Sequence, residues 1–90
     1  MFKNKSVSGK NNICGDNICN LRKQHVPKMS QRILAERLQI LGIDVDKNAI
    51  QRIESGQRFV TDMELLALSK VFRTTCDALV NITEFDIAEK

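Results

Sequence analysis

One short segment of this 90-residue chain, between Asp46 and Gly56, limits most strongly what the chain can fold into. Asp46 can cap a helix, because its carboxylate accepts the free backbone N–H groups of the first turn. Gly56 can end the helix, because a glycine adopts the left-handed conformation without steric cost. Apolar residues between the two recur at helical spacing and predict one buried face. These residues are Ala49, Ile50 and Ile53.

The opposite face of this predicted helix carries four polar side chains and no acidic one. They are amides and cations, the groups that can match the hydrogen-bond donors and acceptors on the edges of DNA bases. An ordinary solvated helix face more often includes Asp or Glu, although such a face is the alternative interpretation. The pattern favours a helix that reads DNA. The four residues are Lys47, Asn48, Gln51 and Arg52.

The composition is that of one globular domain, with 42% hydrophobic and 28% charged residues. The net charge of +3 is unevenly distributed, since residues 1–32 carry seven Lys or Arg against the single Asp16. Such an asymmetry suits a protein with one face toward a polyanion. No apolar run has membrane-spanning length and the first residues lack a signal-peptide pattern, so we expect a cytoplasmic protein without a membrane partner.

Periodicity and capping signals divide the chain into an arm, a helical domain and a tail. Residues 1–12 are predicted to be a flexible basic arm, residues 13–81 the domain, and residues 82–90 a tail that could contact a dimer partner or another protein. The domain is predicted to be all-α with five helices, and the fourth, which is densely apolar, to be the most buried. The first helix is predicted before Pro27, with Cys14, Ile18, Leu21 and His25 inward, and the second between a cap at Ser30 and a stop at Gly42, with Ile33, Leu34, Leu38 and Leu41 inward. The fourth helix begins with a capping box of Thr61 and Glu64, and its inward positions are Leu65, Leu66, Leu68, Val71 and Phe72. The last, short helix is capped by the segment Thr74–Asp77 and contains Leu79 and Val80.

Three cysteines and one histidine do not show the paired spacing of a zinc site. A site of Cys14, Cys19, Cys76 and His25 would require the fold to bring all four together. The interpretation that we favour is three reduced thiols, with Cys76 as a small core residue. We therefore expect no metal and no cofactor.

Three sequence motifs occur in chain order between residues 17 and 80. The first is Ser30–Ala35 (Ser-Gln-Arg-Ile-Leu-Ala), and the second is Ile50–Arg58 (Ile-Gln-Arg-Ile-Glu-Ser-Gly-Gln-Arg). The third is Leu65–Leu68, followed eleven residues later by Leu79. Together they resemble the Cro/repressor-type helix-turn-helix domain of the XRE family. In that family such motifs open the second helix, end the recognition helix and mark the last two helices.

The resemblance implies a compact five-helix, lambda-repressor-like bundle in which helices two and three form the helix-turn-helix. The third helix would lie in the DNA major groove. Lys47, Asn48 and Arg52 match the family's base-contacting positions, and Gln51 lies beside them. The link between helices two and three is longer here than the family's usual compact turn.

The resemblance also implies phosphate contacts and an internal ion pair. Gln31 matches a phosphate-contacting position at the start of helix two, and Gln57 and Arg58 look like further phosphate contacts after helix three. Arg22 and Glu54 match an ion pair between the first and third helices. Glu54 is therefore expected to brace the fold rather than to face DNA.

The function that these features predict is sequence-specific binding of double-stranded DNA. We expect a transcriptional repressor that binds an inverted repeat as a homodimer and blocks the operator. The dimer would form either through the region from Leu79 to Ile87 or on the DNA. The alternative is an antitoxin or protein-interaction module whose tail binds a partner protein. We do not expect an enzyme, because a single histidine and no Gly-rich phosphate loop give little basis for catalysis.

Overall fold

The computed structural model describes residues 9–81, and within this range the chain forms five helices and no strand. The predicted all-α fold with five helices is thus confirmed for the described part of the chain. The expectations for residues 1–8 and for the tail from Ile82 onward lie outside it. The helices are α1 (Gly15–Gln24), α2 (Gln31–Ile40), α3 (Lys47–Glu54), α4 (Asp62–Val71) and α5 (Cys76–Leu79).

Side-chain caps begin four of the helices. The hydroxyl of Ser30 accepts the N–H of Ile33 at 3.1 Å, and the Asp46 carboxylate accepts the N–H of Ala49 at 2.8 Å. Thr61 and its N3 residue form a complete capping box at the start of α4. The last helix is capped by Thr75, inside the predicted Thr74–Asp77 segment. These starts follow from local sequence, because each cap lies within three residues of the group that it binds.

The helix ends agree with the predicted stops except at α1. Gly42 lies just after α2 and Gly56 just after α3. Their φ values of +87° and +81° are left-handed, a conformation that ends a helix. The first helix ends at Gln24, so His25 does not extend its buried face. The His25 ring instead lies with Nδ1 2.8 Å from the carbonyl oxygen of Pro27.

The core lies between α2 and α3, with α1 packed on α3 and with α4 packed on α2 and α5. In α4, which was expected to be the most buried helix, Ala67 and Leu68 are buried, but Met63 is 70% exposed and Leu66, predicted to point inward, is 52% exposed. One side of α4 packs on α2 and α5, and among the described residues Met63 and Leu66 lie on the side that is exposed to solvent. Leu41 was also predicted to point inward and is 46% exposed. The largest fully buried side chains are Ile18, Met29, Leu34, Leu38, Ile50, Ile53, Leu68 and Leu79.

Residues immediately before α1 are bound to the end of α3, where the sequence predicted a flexible arm through residue 12. The backbone N–H of Asn11 donates to Gly56 O at 2.8 Å. The side chain of Asn12 accepts the N–H of Gly15 at 2.8 Å and donates to Ile53 O at 3.0 Å. Asn11 and Asn12, which the sequence placed in the arm, are thus hydrogen-bonded to the end of α3 and the start of α1. Among the described residues, no helix combines the length and apolar character needed to cross a bilayer.

Candidate nucleic-acid interface

The outward face of α3 is a continuous polar surface. All four side chains that the sequence placed on it are exposed, while Ala49 on the opposite face is buried. Three of the four line a shallow depression, together with Ser55 and Gln57 just beyond the helix. The structure thus brings together the predicted base-contacting residues. The four are Lys47, Asn48, Gln51 and Arg52.

The acidic group of α3 is held away from this surface by an ion pair with α1. Glu54 accepts two hydrogen bonds from Arg22, with Nε–Oε2 at 2.6 Å and Nη2–Oε1 at 3.0 Å. The side chains of the pair are only 14% and 6% exposed. Gln31, at the start of α2, donates to Oε1 at 3.1 Å, and Arg22 Nη1 also donates to Met29 O at 3.2 Å. One carboxylate therefore joins three helices and leaves the polar face of α3 without negative charge.

Two opposing effects act on the pKa of Glu54. Burial alone would raise this pKa, because it penalises the charged form. Hydrogen bonds from Arg22 and Gln31, together with the positive charge of Arg22, outweigh burial and lower the pKa below its ordinary value. The carboxylate is therefore ionised at neutral pH, which the two-point contact with a guanidinium requires.

A second polar surface lies where the N-termini of α2 and α3 approach each other. It is an open cleft beside the capped start of α2, where backbone N–H groups and the helix dipole favour an anion. Sequence reasoning did not single out Lys28 and Arg32, although both flank the Ser30 cap. Arg32 also pairs with Glu36 at 2.8 Å on the outer side of α2. The cleft is lined by Arg22, Lys28, Ser30, Gln31, Arg32 and Lys47.

Two residues expected at phosphates are already bound within the protein. Arg58 forms a two-point contact with Glu64, with Nη1–Oε1 at 2.9 Å and Nη2–Oε2 at 3.0 Å. Its Nη1 also donates to Phe59 O at 3.2 Å. The amide of Gln31 is engaged by Glu54, as described above. Of the three residues predicted to contact phosphates, only Gln57 has an exposed side chain with no hydrogen bond or ion pair to the described residues.

The pairing of Arg58 with Glu64 is a finding that the sequence did not indicate. The carboxylate of Glu64 also accepts the backbone N–H of Thr61 at 2.9 Å, so one side chain completes the capping box and binds the guanidinium. Burial acts to raise the pKa of Glu64, but the hydrogen bond from Arg58 and those from Thr61 lower it overall. Arg58 therefore fixes the connection between α3 and α4.

Asn12 is the other positioning residue that sequence reasoning missed. Its amide nitrogen donates both to Ile53 O and, at 2.8 Å, to Arg58 O, while its Oδ1 accepts the N–H of Gly15, the first residue of α1. Gly15 permits this approach, since a Cβ there would overlap the carbonyl oxygen of Ile53. The start of α1 and the end of α3 are thus fixed to each other through one side chain. The only available signal was the cap preference of asparagine just before a helical pattern.

The thiols of the described residues do not form a metal site. No three His, Cys, Asp or Glu side chains within residues 9–81 are grouped so that they could hold an ion. Cys14, rather than Cys76, is the buried cysteine, and burial raises the pKa of its thiol to about 11. Cys19 and Cys76 are each partly exposed.

Comparisons with protein-family models, with curated proteins and with solved structures find no match to this chain. The role of the α3 surface must therefore be judged from its own chemistry and geometry.

Proposed function

We propose that this protein is a sequence-specific, double-stranded DNA-binding regulator of the Cro/repressor type. In this proposal α2 and α3 are the helix-turn-helix, and α3 lies in the major groove of DNA. The supporting observations are the exposed face of α3, which carries no acidic residue, and the pairing of Glu54, the one carboxylate within α3, with Arg22. An α-helix fits the width of the major groove, and this face offers the side-chain types that read it.

Each polar group on α3 has a base edge that it would suit. Asn48 can make two hydrogen bonds to adenine, and Arg52 or Lys47 can make two to guanine. Gln51 lies between them and can also bind an adenine edge. These contacts would supply specificity, because they depend on the identity of the base.

Phosphate contacts would supply the larger, sequence-independent share of affinity. The cleft at the start of α2 supports this role, since Lys28 and Lys47 flank backbone N–H groups that point outward from a helix N-terminus. Gln57, at the opposite end of α3, would add a neutral contact. Arg58 is a weaker candidate than the sequence suggested, because Glu64 already binds two of its nitrogens.

The proposed mode of action is repression by occupying an operator in the cytoplasm. One helix of eight residues reads few base pairs, so a homodimer on an inverted repeat would be needed for adequate specificity. No cofactor takes part in this mechanism, and catalysis is not proposed.

Selection of bound sequences from a random DNA pool tests the proposal. The wild-type chain should enrich a short inverted repeat, and a variant with Asn48→Ala and Arg52→Ala should lose that base preference. The loss should be roughly 1–3 kcal/mol for each two-point base contact removed. Both side chains are exposed, so the variant should fold normally.

A matched control removes the same chemistry from another helix. Asn20→Ala with Lys23→Ala deletes an exposed amide and an exposed cation from α1. This control should enrich the same sequences as the wild type. The proposal is wrong if the wild type enriches no sequence at moderate salt, or if the control loses its preference as much as the α3 variant.

A further inference from the structure

A ridge of α4 that points to solvent carries an apolar centre between two opposite charges. Asp62, Leu66 and Lys70 are spaced four residues apart, which places them in one row along the helix. All three are exposed, and Leu66 is the middle member. About half of the surface of Leu66 is left in solvent, since this side chain is 52% exposed.

The ridge borders an apolar groove rather than a flat polar surface. Ala67 and Met63 belong to the same side of α4, and the segment after α2 forms the opposite wall with Leu41 and Ile43. Exposed apolar side chains gathered in this way mark an interaction surface more often than isolated ones do. The groove is distinct from the polar face of α3 and shares no residue with it.

The charges at the two ends of the ridge are exposed, although Oδ1 of Asp62 also accepts the backbone N–H of Met63 at 2.7 Å. Among the ion pairs formed within residues 9–81, neither Asp62 nor Lys70 takes part. Asp62 lies four residues before Leu66, and Lys70 lies four residues after it. At a rise of about 1.5 Å per residue, each charge is therefore about 6 Å from the centre of the ridge.

We propose that this surface binds a second copy of the same chain, with the two α4 helices antiparallel across a twofold axis at Leu66. In this arrangement Leu66 contacts its symmetry mate, and Lys70 of each copy meets Asp62 of the other. A twofold contact must be self-complementary, and a ridge with opposite charges equidistant from an apolar centre meets that requirement. The groove receives the partner's Met63 and Leu66 side chains.

The dimer formed in this way is weak. The surface consists of a few side chains, fewer than the roughly 20–30 residues per partner of a standard stable interface. The role of this dimer in reading an inverted repeat rests on the proposed DNA-binding function, but the two chains associate without DNA. Its test uses no DNA, so the failure of one proposal is distinguishable from the failure of the other.

Charge reversal tests the antiparallel arrangement most directly. In sedimentation equilibrium of the full chain, Asp62→Lys alone and Lys70→Asp alone should each weaken self-association about tenfold, because each creates two like-charge contacts per dimer. The double variant should recover wild-type association. An equimolar mixture of the two single variants should form a heterodimer, since both of its end contacts join opposite charges.

Leu66→Asp tests the centre of the contact and should leave the chain monomeric. Val26→Asp is the matched control, because Val26 is 89% exposed, lies outside the groove and should not affect association when replaced. Circular dichroism of each variant checks that the monomer fold is retained. A wild type that stays monomeric up to millimolar concentration would overturn the proposal, as would single reversals without effect. Phe85 is an aromatic residue of the tail that follows α5 in the sequence. If the wild type is monomeric and Phe85→Asp increases the binding of an apolar fluorescent dye, the groove is covered by the chain's own tail and the proposal is overturned.

Discussion

The guanidinium of Arg22 and the carboxylate of Glu54 form a two-point contact that joins α1 to α3, with nitrogen–oxygen distances of 2.6 and 3.0 Å. This contact holds Glu54, the one acidic side chain on the proposed recognition helix, away from the polar face of that helix. Because Gln31 binds the same carboxylate, α2 is tied to this contact as well. The relative placement of α2 and α3 therefore depends on a charge that is held away from the polar face of α3.

Breaking this ion pair from one side should destabilise the protein more than removing it altogether. Arg22→Met or Glu54→Ala leaves a largely buried charge without its partner, which costs about 3 kcal/mol. The double variant should lose clearly less than the sum of the two single losses. Urea unfolding monitored by circular dichroism measures these values. The exposed pair of Arg32 and Glu36 is the control, and Arg32→Ala should cost about 0.5 kcal/mol or less.

The stability of the fold should decrease in acid. The pKa values of Glu54 and Glu64 are lower in the folded state than their ordinary values, so protonation favours the unfolded chain. Their contribution is complete above the unfolded glutamate pKa of about 4.3 and is lost as the pH falls through the folded values. Unfolding free energies measured between neutral and acid pH should show this decline. Glu54→Gln should make the decline shallower, and an equally steep decline in that variant would contradict the assignment.

Asn12 should contribute to stability far more than its position near the chain terminus suggests. Asn12→Ala removes hydrogen bonds to Gly15, Ile53 and Arg58 and leaves partly buried backbone groups without partners, so we expect a loss of about 2–3 kcal/mol. Asn20→Ala, at an exposed site on α1, should change stability by less than about 0.5 kcal/mol. Chemical denaturation of both variants makes the comparison. Equal stabilities would mean that these three contacts do not hold α1 to α3.

Salt dependence should separate phosphate-contacting residues from base-reading ones. Lys28→Ala should reduce the slope of log affinity against log salt concentration by about one and weaken every DNA sequence alike. Asn48→Ala should leave the slope unchanged and reduce only the preference for the selected sequence. Fluorescence anisotropy on selected and scrambled duplexes measures both effects. A slope unchanged by Lys28→Ala would exclude this side chain from the phosphate contacts.

The three thiols should differ in reactivity. Cys14 is buried and its pKa is raised to about 11, so its thiolate fraction at mildly alkaline pH is about a hundredfold below that of an ordinary cysteine. Cys19 and Cys76 are partly exposed and should react with iodoacetamide first. Mass spectrometry after timed labelling identifies the modified residues, and labelling in urea provides the fully accessible reference. Labelling of Cys14 in the native protein as fast as of the other two would contradict its burial.

Several features of the fold follow from residues that are close together in the sequence. The cap at Asp46, the stop at Gly56 and the separation of Ile50 from Asn48 on opposite faces of α3 are set within one or two helical turns. Such relationships depend on the periodicity and capping chemistry of the helix alone. Sequence analysis could therefore predict the helices and the polar face of α3 without knowing how the helices pack.

Other features depend on groups far apart in the chain. The carbonyls that Asn12 binds lie 41 and 46 residues away, and no local pattern marks an asparagine for such partners. Likewise, the apolar composition of α4 could not reveal that Leu66 remains in solvent, because burial depends on how many neighbours a helix acquires. The Arg58–Glu64 contact is local, but helical periodicity does not predict it because Arg58 precedes α4.

By itself, then, the sequence determined where α2, α3 and α4 begin, where α2 and α3 end, and which side chains of α3 point outward, because these depend on neighbours within a few residues. Only the tertiary structure decided that Asn11 and Asn12 bind the end of α3 and that, within the described residues, Met63 and Leu66 are exposed on one side of α4. Those outcomes arise where segments distant in the chain meet. The backbone and side-chain groups of such segments form their contacts, or stay exposed, only when all the helices have packed.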